Sequence, residues 1–299
     1  MTTTDVLLAV DAGTSTIKAV AFGVDGTELA VATRETETLR PEPGHVEQDP
    51  VAVWELTAAT LRDVTGSLPD GPEPVGVSVT GQGDGLWAVT DDGDPAGNAM
   101  LWSDSRAAGI LDEWAETGAL DAVVEQCGSA PYPGMSLPIL AWLAREAPAR
   151  FDRIATVLSA KDWLKFRLTG ERTLDHTEAT VPYLNADTQR YDRGVFGTVG
   201  LPEAASKLPR LAAPTEVIGT VTDAAAEATG IEPGVPVVSG AFDVPASAIG
   251  SGAATAGGTA ITLGTSLTHQ LLVEGPQSDR SGIGMSLGTG GLWTYAVGS

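Results

Sequence analysis

What this 299-residue chain lacks narrows its chemistry before any motif is read. It has one cysteine, Cys127, so neither a disulfide framework nor a thiolate metal cluster can be built. Its three histidines, His45, His176 and His269, stand far apart, and no HExxH segment occurs. That argues against a zinc site and against a Cys nucleophile. Lysine is confined to Lys18, Lys161, Lys165 and Lys207. None of them follows a glycine, so no GxxxxGK[ST] phosphate loop exists. No apolar run approaches the roughly 20 residues that a membrane helix needs. The opening Met1-Thr2-Thr3-Thr4-Asp5 lacks the basic start of a secretory signal. The expectation is a cytoplasmic protein with no membrane partner.

Positive charge is scarce overall, with 17 Lys+Arg against 39 Asp+Glu and a formal net charge of −22. A nucleic-acid backbone would be repelled, so no nucleic-acid partner is expected. The acids are spread along the chain, as in Asp91-Asp92-Gly93-Asp94, rather than gathered in a tail. A solubilising surface accounts for any one such cluster. For the whole chain the balance predicts a halophilic protein, adapted to a salt-rich cytosol where self-repulsion is screened. The apolar fraction of 42% argues against disorder, and the length suffices for one large domain or two moderate ones.

The segment Val6-Leu7-Leu8-Ala9-Val10 is an apolar run continuous enough for a buried strand. After the turn-like Asp11-Ala12-Gly13-Thr14-Ser15-Thr16, strand composition resumes at Ile17-Lys18-Ala19-Val20-Ala21-Phe22. Asp25-Gly26 signals a hairpin into Leu29-Ala30-Val31-Ala32-Thr33. Asp49-Pro50 predicts a helix start, with Asp as N-cap and Pro at the first helical position, and Trp54, Ala58 and Leu61 on its inner face. Further strands are predicted at Val75–Val79, Leu86–Val89, Val217–Val221, Val235–Ser239 and Thr259–Leu263, with residues 105–180 mainly helical. This is an α/β chain that begins with consecutive hairpins, unlike a doubly wound nucleotide fold. Gly83-x-Gly85-x-x-Ala88 fits a loose dinucleotide fingerprint, but a strand-like Leu-Trp-Ala-Val follows it and not a helix, so an oxidoreductase reading is rejected.

Three loops at strand ends combine glycine, hydroxyls and an aspartate or a second hydroxyl. In Asp11-Ala12-Gly13-Thr14-Ser15-Thr16, with Lys18 beyond, a tight turn can turn N–H and O–H donors toward phosphate oxygens. Asp11 is placed to hold Mg²⁺, through water, because that ion keeps much of its shell. Gly264-Thr265-Ser266 repeats the pattern after another strand, and the two loops together would clamp a polyphosphate. Asp243, in Gly240-Ala241-Phe242-Asp243, stands before a small-residue helix, where it serves either as a base or as an N-cap.

These segments, in order, resemble the FGGY family of carbohydrate kinases within the actin-like ATPase superfamily. The matches are Val10–Ser15 with Lys18, Gly44-His45-Val46-Glu47-Gln48-Asp49-Pro50 with Trp54, Thr80-Gly81-Gln82-Gly83-Asp84-Gly85, Leu101-Trp102-Ser103-Asp104-Ser105-Arg106, Lys161-Asp162-Trp163-Leu164 with Leu168-Thr169-Gly170, Gly240–Asp243, and Gly264–Ser266. The resemblance implies an actin-like ATPase (ribonuclease H-like) fold, with a β-hairpin start and helices on both faces of a mixed sheet. It implies ATP and Mg²⁺ as cofactors and a small sugar or polyol as partner, and it leaves a homodimer open. It assigns Asp243 as the base. Gly13, Thr14, Ser15 and Lys18 with Gly264, Thr265 and Ser266 become phosphate contacts, and Asp11 the magnesium organiser. Gln82 and Asp84 would bind substrate hydroxyls, with Trp102 as an apolar wall. Asp104 and Arg106 read equally as positioning residues or as an internal ion pair.

The Gly-Gln-Gly-Asp-Gly loop resembles members that act on erythritol or on less common pentuloses such as L-xylulose. Glycerol kinases carry Arg-Glu there, and xylulose kinases usually Met-His. Family chains are longer than this one. Residues 1–249 are therefore expected to form the sugar-binding domain and 250–299 the incomplete start of the ATP-binding domain, so that a full ATP site needs the missing half. A sugar-binding remnant without turnover, or one part of a split kinase, is the alternative.

Overall fold

The structure is a computed structural model, and it describes residues 5–69, 71, 73–263, 267–277, 283–288 and 291–298. The opening apolar run forms the strand Asp5–Ala12, which pairs antiparallel with Thr16–Gly23. That strand in turn pairs antiparallel with Glu28–Glu35. The Asp25-Gly26 turn between the last two works as its sequence predicts. Gly26 takes φ +85°, which a side chain would resist, and the Asp25 carboxylate accepts from the Thr27 N–H at 2.9 Å.

The meander is one side of a six-stranded sheet ordered Val217–Thr220, Pro236–Val238, Glu73–Gly81, Asp5–Ala12, Thr16–Gly23, Glu28–Glu35. The three strands from Pro236–Val238 to Asp5–Ala12 run parallel to one another, and the remaining pairs are antiparallel. The sheet is thus mixed, and its parallel centre brings the carboxyl ends of three strands side by side.

The helix Pro50–Gly66 starts as predicted: the Asp49 carboxylate accepts from the Val51 N–H, and Pro50 opens the helix. Trp54, Ala58 and Leu61 are buried against the sheet, in one core with Val6, Leu8, Val10 and Ile17. The helix Ala160–Thr169 joins the same layer, where the Trp163 indole donates to the Pro50 carbonyl at 2.9 Å. The helix Asp223–Thr229 completes it, with Ala225 in that core.

One expectation changes here. The continuous apolar run predicted a buried strand, but burial alternates along Asp5–Ala12 and Leu7 is 38% exposed. The period of two places Leu7, Ala9 and Asp11 on the opposite face. On that face the helix Asp243–Gly250 covers only the carboxyl end, and its Ala246 and Ser247 share a cavity with Asp11 and Thr80. A second helical core surrounds Leu137, Ile139, Leu140 and Leu143 of the helix Ser136–Glu146. Beyond residue 250 the described strands form an antiparallel sheet ordered Thr259–Leu263, Leu267–Glu274, Leu292–Gly298, Ile283–Ser286.

Candidate active site

Two cavities meet at the carboxyl end of the parallel strands. The first has a volume of about 540 Å³ and is walled by Gln82, Asp84, Trp102, Tyr132, Phe242 and Asp243, with Thr14 beside them. That size suits a small ligand. The second, about 510 Å³, is lined by Asp11, Thr80, Asp243, Ser247, Thr262 and Gln270. Asp243 lies in the wall of both.

Backbone geometry brings these loops together. Gly240, at φ +73°, lies so close to the Val79 carbonyl that any Cβ would collide with it. The Gly240–Asp243 loop can therefore cross directly over the strand Glu73–Gly81. A Cβ on Gly83 would likewise strike the Phe242 ring. Glycine at both points lets the Asp84 and Asp243 loops touch.

Asp243 is the first residue of its helix, and Phe242 occupies the cap position. Burial pushes its carboxyl up to about 7, and the carboxylates of Asp11 and Asp84 add to that. Hydrogen bonds from the Val244 and Gly83 amides pull the other way without reversing it. A carboxyl with this pKa can exchange a proton near neutrality, as a base must.

Asp84 takes a left-handed backbone, φ 59°, unusual for a residue with a side chain. Its carboxylate accepts from the Tyr132 hydroxyl at 2.7 Å, and its N–H donates to Glu178 Oε1 at 2.8 Å. Burial raises its carboxyl to about 6, with Tyr132 opposing.

Both ends of the Gln82 amide are held, each by one bond. Its Oε1 accepts from the Thr14 hydroxyl, and its Nε2 donates to Gln48 Oε1, both at 2.9 Å. Thr14 accepts in turn from the Trp102 indole N–H at 2.9 Å. The Thr14 hydroxyl thus ties the turn to the floor and wall of the first cavity. Trp102 is 42% exposed, so it is a cavity wall rather than core.

On the other side, Asp11 ends its strand opposite Lys18 in the register. Burial raises the Asp11 carboxyl while the Lys18 charge lowers it. The Gly13 amide donates to the Thr16 carbonyl within the turn, so it is used by the turn itself, and Ser15 is exposed. Gly264, Thr265 and Ser266 lie outside the described residues; the strands on either side pair up to Leu263 opposite Leu267. Thr80 Oγ1 is buried with no hydrogen-bond partner among the described residues, beside Asp11 in the second cavity. An orphaned hydroxyl and two carboxylates around one cavity fit a hydrated Mg²⁺ ion.

Asp104 and Arg106 lie behind the wall. The Arg106 guanidinium bonds Asp104 and Glu47, each at 2.7 Å, and Asp104 also accepts from the Val46 N–H. This buried trio fixes the segment that carries Gln48. Sequence reasoning missed Tyr132, Thr177 and Glu178. Tyr132 sits in Ala-Pro-Tyr-Pro-Gly, a turn without a catalytic pattern, and Glu178 in a short helix where a surface charge would look the same.

With the geometry in view, comparison is informative. Residues 6–250 match the N-terminal domain of the FGGY family of carbohydrate kinases. The chain belongs to the FGGY family. It is 33% identical over 268 residues to erythritol kinase of Brucella abortus, a match that covers 89% of this chain and 52% of that protein. It is 31% identical over 247 residues to L-xylulose/3-keto-L-gulonate kinase of Escherichia coli, covering 82% and 50%. Among solved structures, xylulose kinase from Rhodospirillum rubrum superposes with a TM-score of 0.91 at 25% identity, over 98% of this chain and 61% of that one. This FGGY chain spans about half the length of the curated relatives it matches. Its mixed sheet and helices are those of sugar kinases with the actin-like ATPase fold. Among its described residues no helix is long and apolar enough to cross a membrane.

Proposed function

We propose that residues 1–249 are the sugar-binding domain, and 250–299 the start of the ATP-binding domain, of an ATP-dependent kinase for a sugar or polyol. The observation that carries this reading is Asp243 in the partition between an organic-lined cavity and a carboxylate–hydroxyl cavity. A substrate in the first cavity rests its carbons on Trp102 and donates hydroxyl hydrogen bonds to Asp84, with Gln82 and Tyr132 closing the site. Its reacting hydroxyl faces Asp243. That oxygen forms a bond to the γ-phosphorus of ATP, the bond to the β-phosphate oxygen breaks, ADP leaves, and the hydroxyl proton passes to the Asp243 carboxylate.

The polyphosphate belongs to the second side, with Gly13, Ser15, Lys18 and the Gly264-Thr265-Ser266 loop. Mg²⁺ held there through water by Asp11, beside Thr80, would neutralise phosphate charge. In a chain with a charge of −22 there is no general positive field to attract ATP. Local donors and the cation must supply the binding.

The Gly-Gln-Gly-Asp-Gly loop and the erythritol and L-xylulose kinase relatives favour a pentulose or an erythritol-like polyol as substrate. A coupled ADP-release screen of the complete protein against pentuloses, tetritols, hexuloses and glycerol in high KCl tests this. Turnover of a pentulose or tetritol is the expected result. Sugar binding by calorimetry without ADP release would replace it with the second reading, a binding protein or one part of a split kinase, which the half-length match to the relatives favours. The charge further implies a cytoplasmic protein of a salt-rich cell, whose melting temperature rises between low and molar KCl. A constant melting temperature removes that idea.

A further inference from the structure

Behind the two site loops lies a fully buried charge cluster on the helix Ala160–Thr169 and the strand Thr173–Asp175. Lys161 bonds Asp175 and, at 3.1 Å, Asp162; Lys165 bonds Asp162 at 2.5 Å and the Ser239 hydroxyl at 3.1 Å. Burial alone would pull the Lys161 ammonium down, but Asp162, Asp175 and Glu178 outweigh it and hold its pKa above the ordinary value.

The cluster anchors the four-residue helix His176–Ala179, because Asp175 also accepts from the Thr177 N–H at 2.7 Å and from the Thr177 hydroxyl. Two consecutive residues of this helix then reach different loops. Thr177 Oγ1 accepts from the Phe242 N–H at 3.1 Å, one residue before Asp243. Glu178 Oε1 accepts from the Asp84 N–H at 2.8 Å, at the residue whose φ of 59° needs an external hold. Among the described residues this helix alone accepts from both of these amides.

We propose that Thr177 and Glu178 are positioning residues that register the Asp243 loop and the Asp84 loop against each other, and so set which substrate hydroxyl meets the base. The proposal rests on the kinase reading for its second half only. Thr177 acts through Phe242 on the base, and Glu178 acts through the Asp84 backbone on the substrate-binding carboxylate. Burial and then the Asp84 charge push the Glu178 carboxyl well above the usual range, and the contact to the Asp84 amide asks of it only one acceptor oxygen. An amide can take that role, and glutamine is therefore the conservative replacement.

The test uses the 299-residue chain with Thr177→Val and Glu178→Met, which keep volume and remove the acceptor, and with Thr177→Ser and Glu178→Gln as rescue variants. Amide hydrogen exchange is read first, because it needs no activity. Thr177→Val should speed exchange of the Phe242 amide by about tenfold and leave Asp84 unchanged, and Glu178→Met should do the reverse, since each lost bond is worth about that factor. In turnover by the complete protein carrying the same substitutions, misplacing the base lowers kcat by about tenfold or more at constant KM for Thr177→Val, whereas Glu178→Met raises KM for the sugar with kcat nearly kept. The serine and glutamine variants should match the parent chain in both readouts. Both amides loosening together in either variant, neither loosening, or a loss in the rescue variants would overturn the proposal. If the complete protein turns over no sugar or polyol, the kinase reading fails while the exchange result still decides the positioning role.

Discussion

Asp243→Asn should make the folded protein more stable at alkaline pH while removing turnover. The native carboxyl titrates at about 7, against an ordinary 3.8, because it is buried and faces Asp11 and Asp84. The native state therefore keeps a proton that the unfolded chain has already released, and folding stability falls as pH rises from about 4 to about 7. The displacement of about 3 units corresponds to at most about 4 kcal/mol of lost stability above pH 7. Asparagine carries no such cost, but it accepts from the Val244 and Gly83 amides less strongly than a carboxylate, which returns about 1–2 kcal/mol. The expected net gain is about 2 kcal/mol at pH 8. Near pH 4 the native carboxyl is protonated and the unfolded one only about half ionised, so the gain should shrink below about 1 kcal/mol. Urea unfolding of both chains at pH 4, 6 and 8 measures this. An Asn chain that is no more stable at pH 8, or a difference that does not grow with pH, would refute the account of how this carboxyl is held.

Three further outcomes are open to measurement. If Asp243 is the base, kcat/KM should climb with pH on an acid limb centred near 7, and a flat profile between pH 5.5 and 8 would contradict it. Tyr132→Phe removes the donor that holds the Asp84 carboxylate at 2.7 Å. Asp84 should then titrate above its present value of about 6 in carboxyl NMR, and stability at pH 8 should drop by about 1–3 kcal/mol; an unshifted titration rejects the contact. Lys165→Met leaves the buried Asp162 with one cation in place of two, at a cost of about 3–5 kcal/mol in urea unfolding. A loss below about 1 kcal/mol would mean that the cluster does not hold its loops as described.

The chain's order of elements was legible because its signals are local. The Asp25-Gly26 turn, the Asp49-Pro50 start and the Trp54, Ala58, Leu61 stripe depend on the backbone preferences and spacing of neighbours a few residues apart. Asp11, Gln82, Asp84, Trp102 and Asp243 were readable as candidates, since each stands in a loop pattern that a family shares, and all five line the two cavities. Their partners were not readable. Glu178 meets Asp84 across 94 positions, Thr177 meets Phe242 across 65, and Trp102 meets Thr14 across 88.

Composition by itself excluded disulfides, thiolate clusters and a field that attracts phosphate, because counts of Cys, Lys and Arg bound what any fold can assemble. It also overstated one burial. The run Val6–Val10 is apolar throughout, but whether a strand is covered on both faces depends on what packs there, and at Leu7 nothing does so fully. Only the tertiary structure decided that Asp243 stands between two cavities and that Thr14 belongs to the first. It alone decided that a four-residue helix, anchored by buried charges, ties the two acidic loops together. Those facts depend on which distant loops the parallel strands bring side by side, and a residue's local pattern carries no record of that.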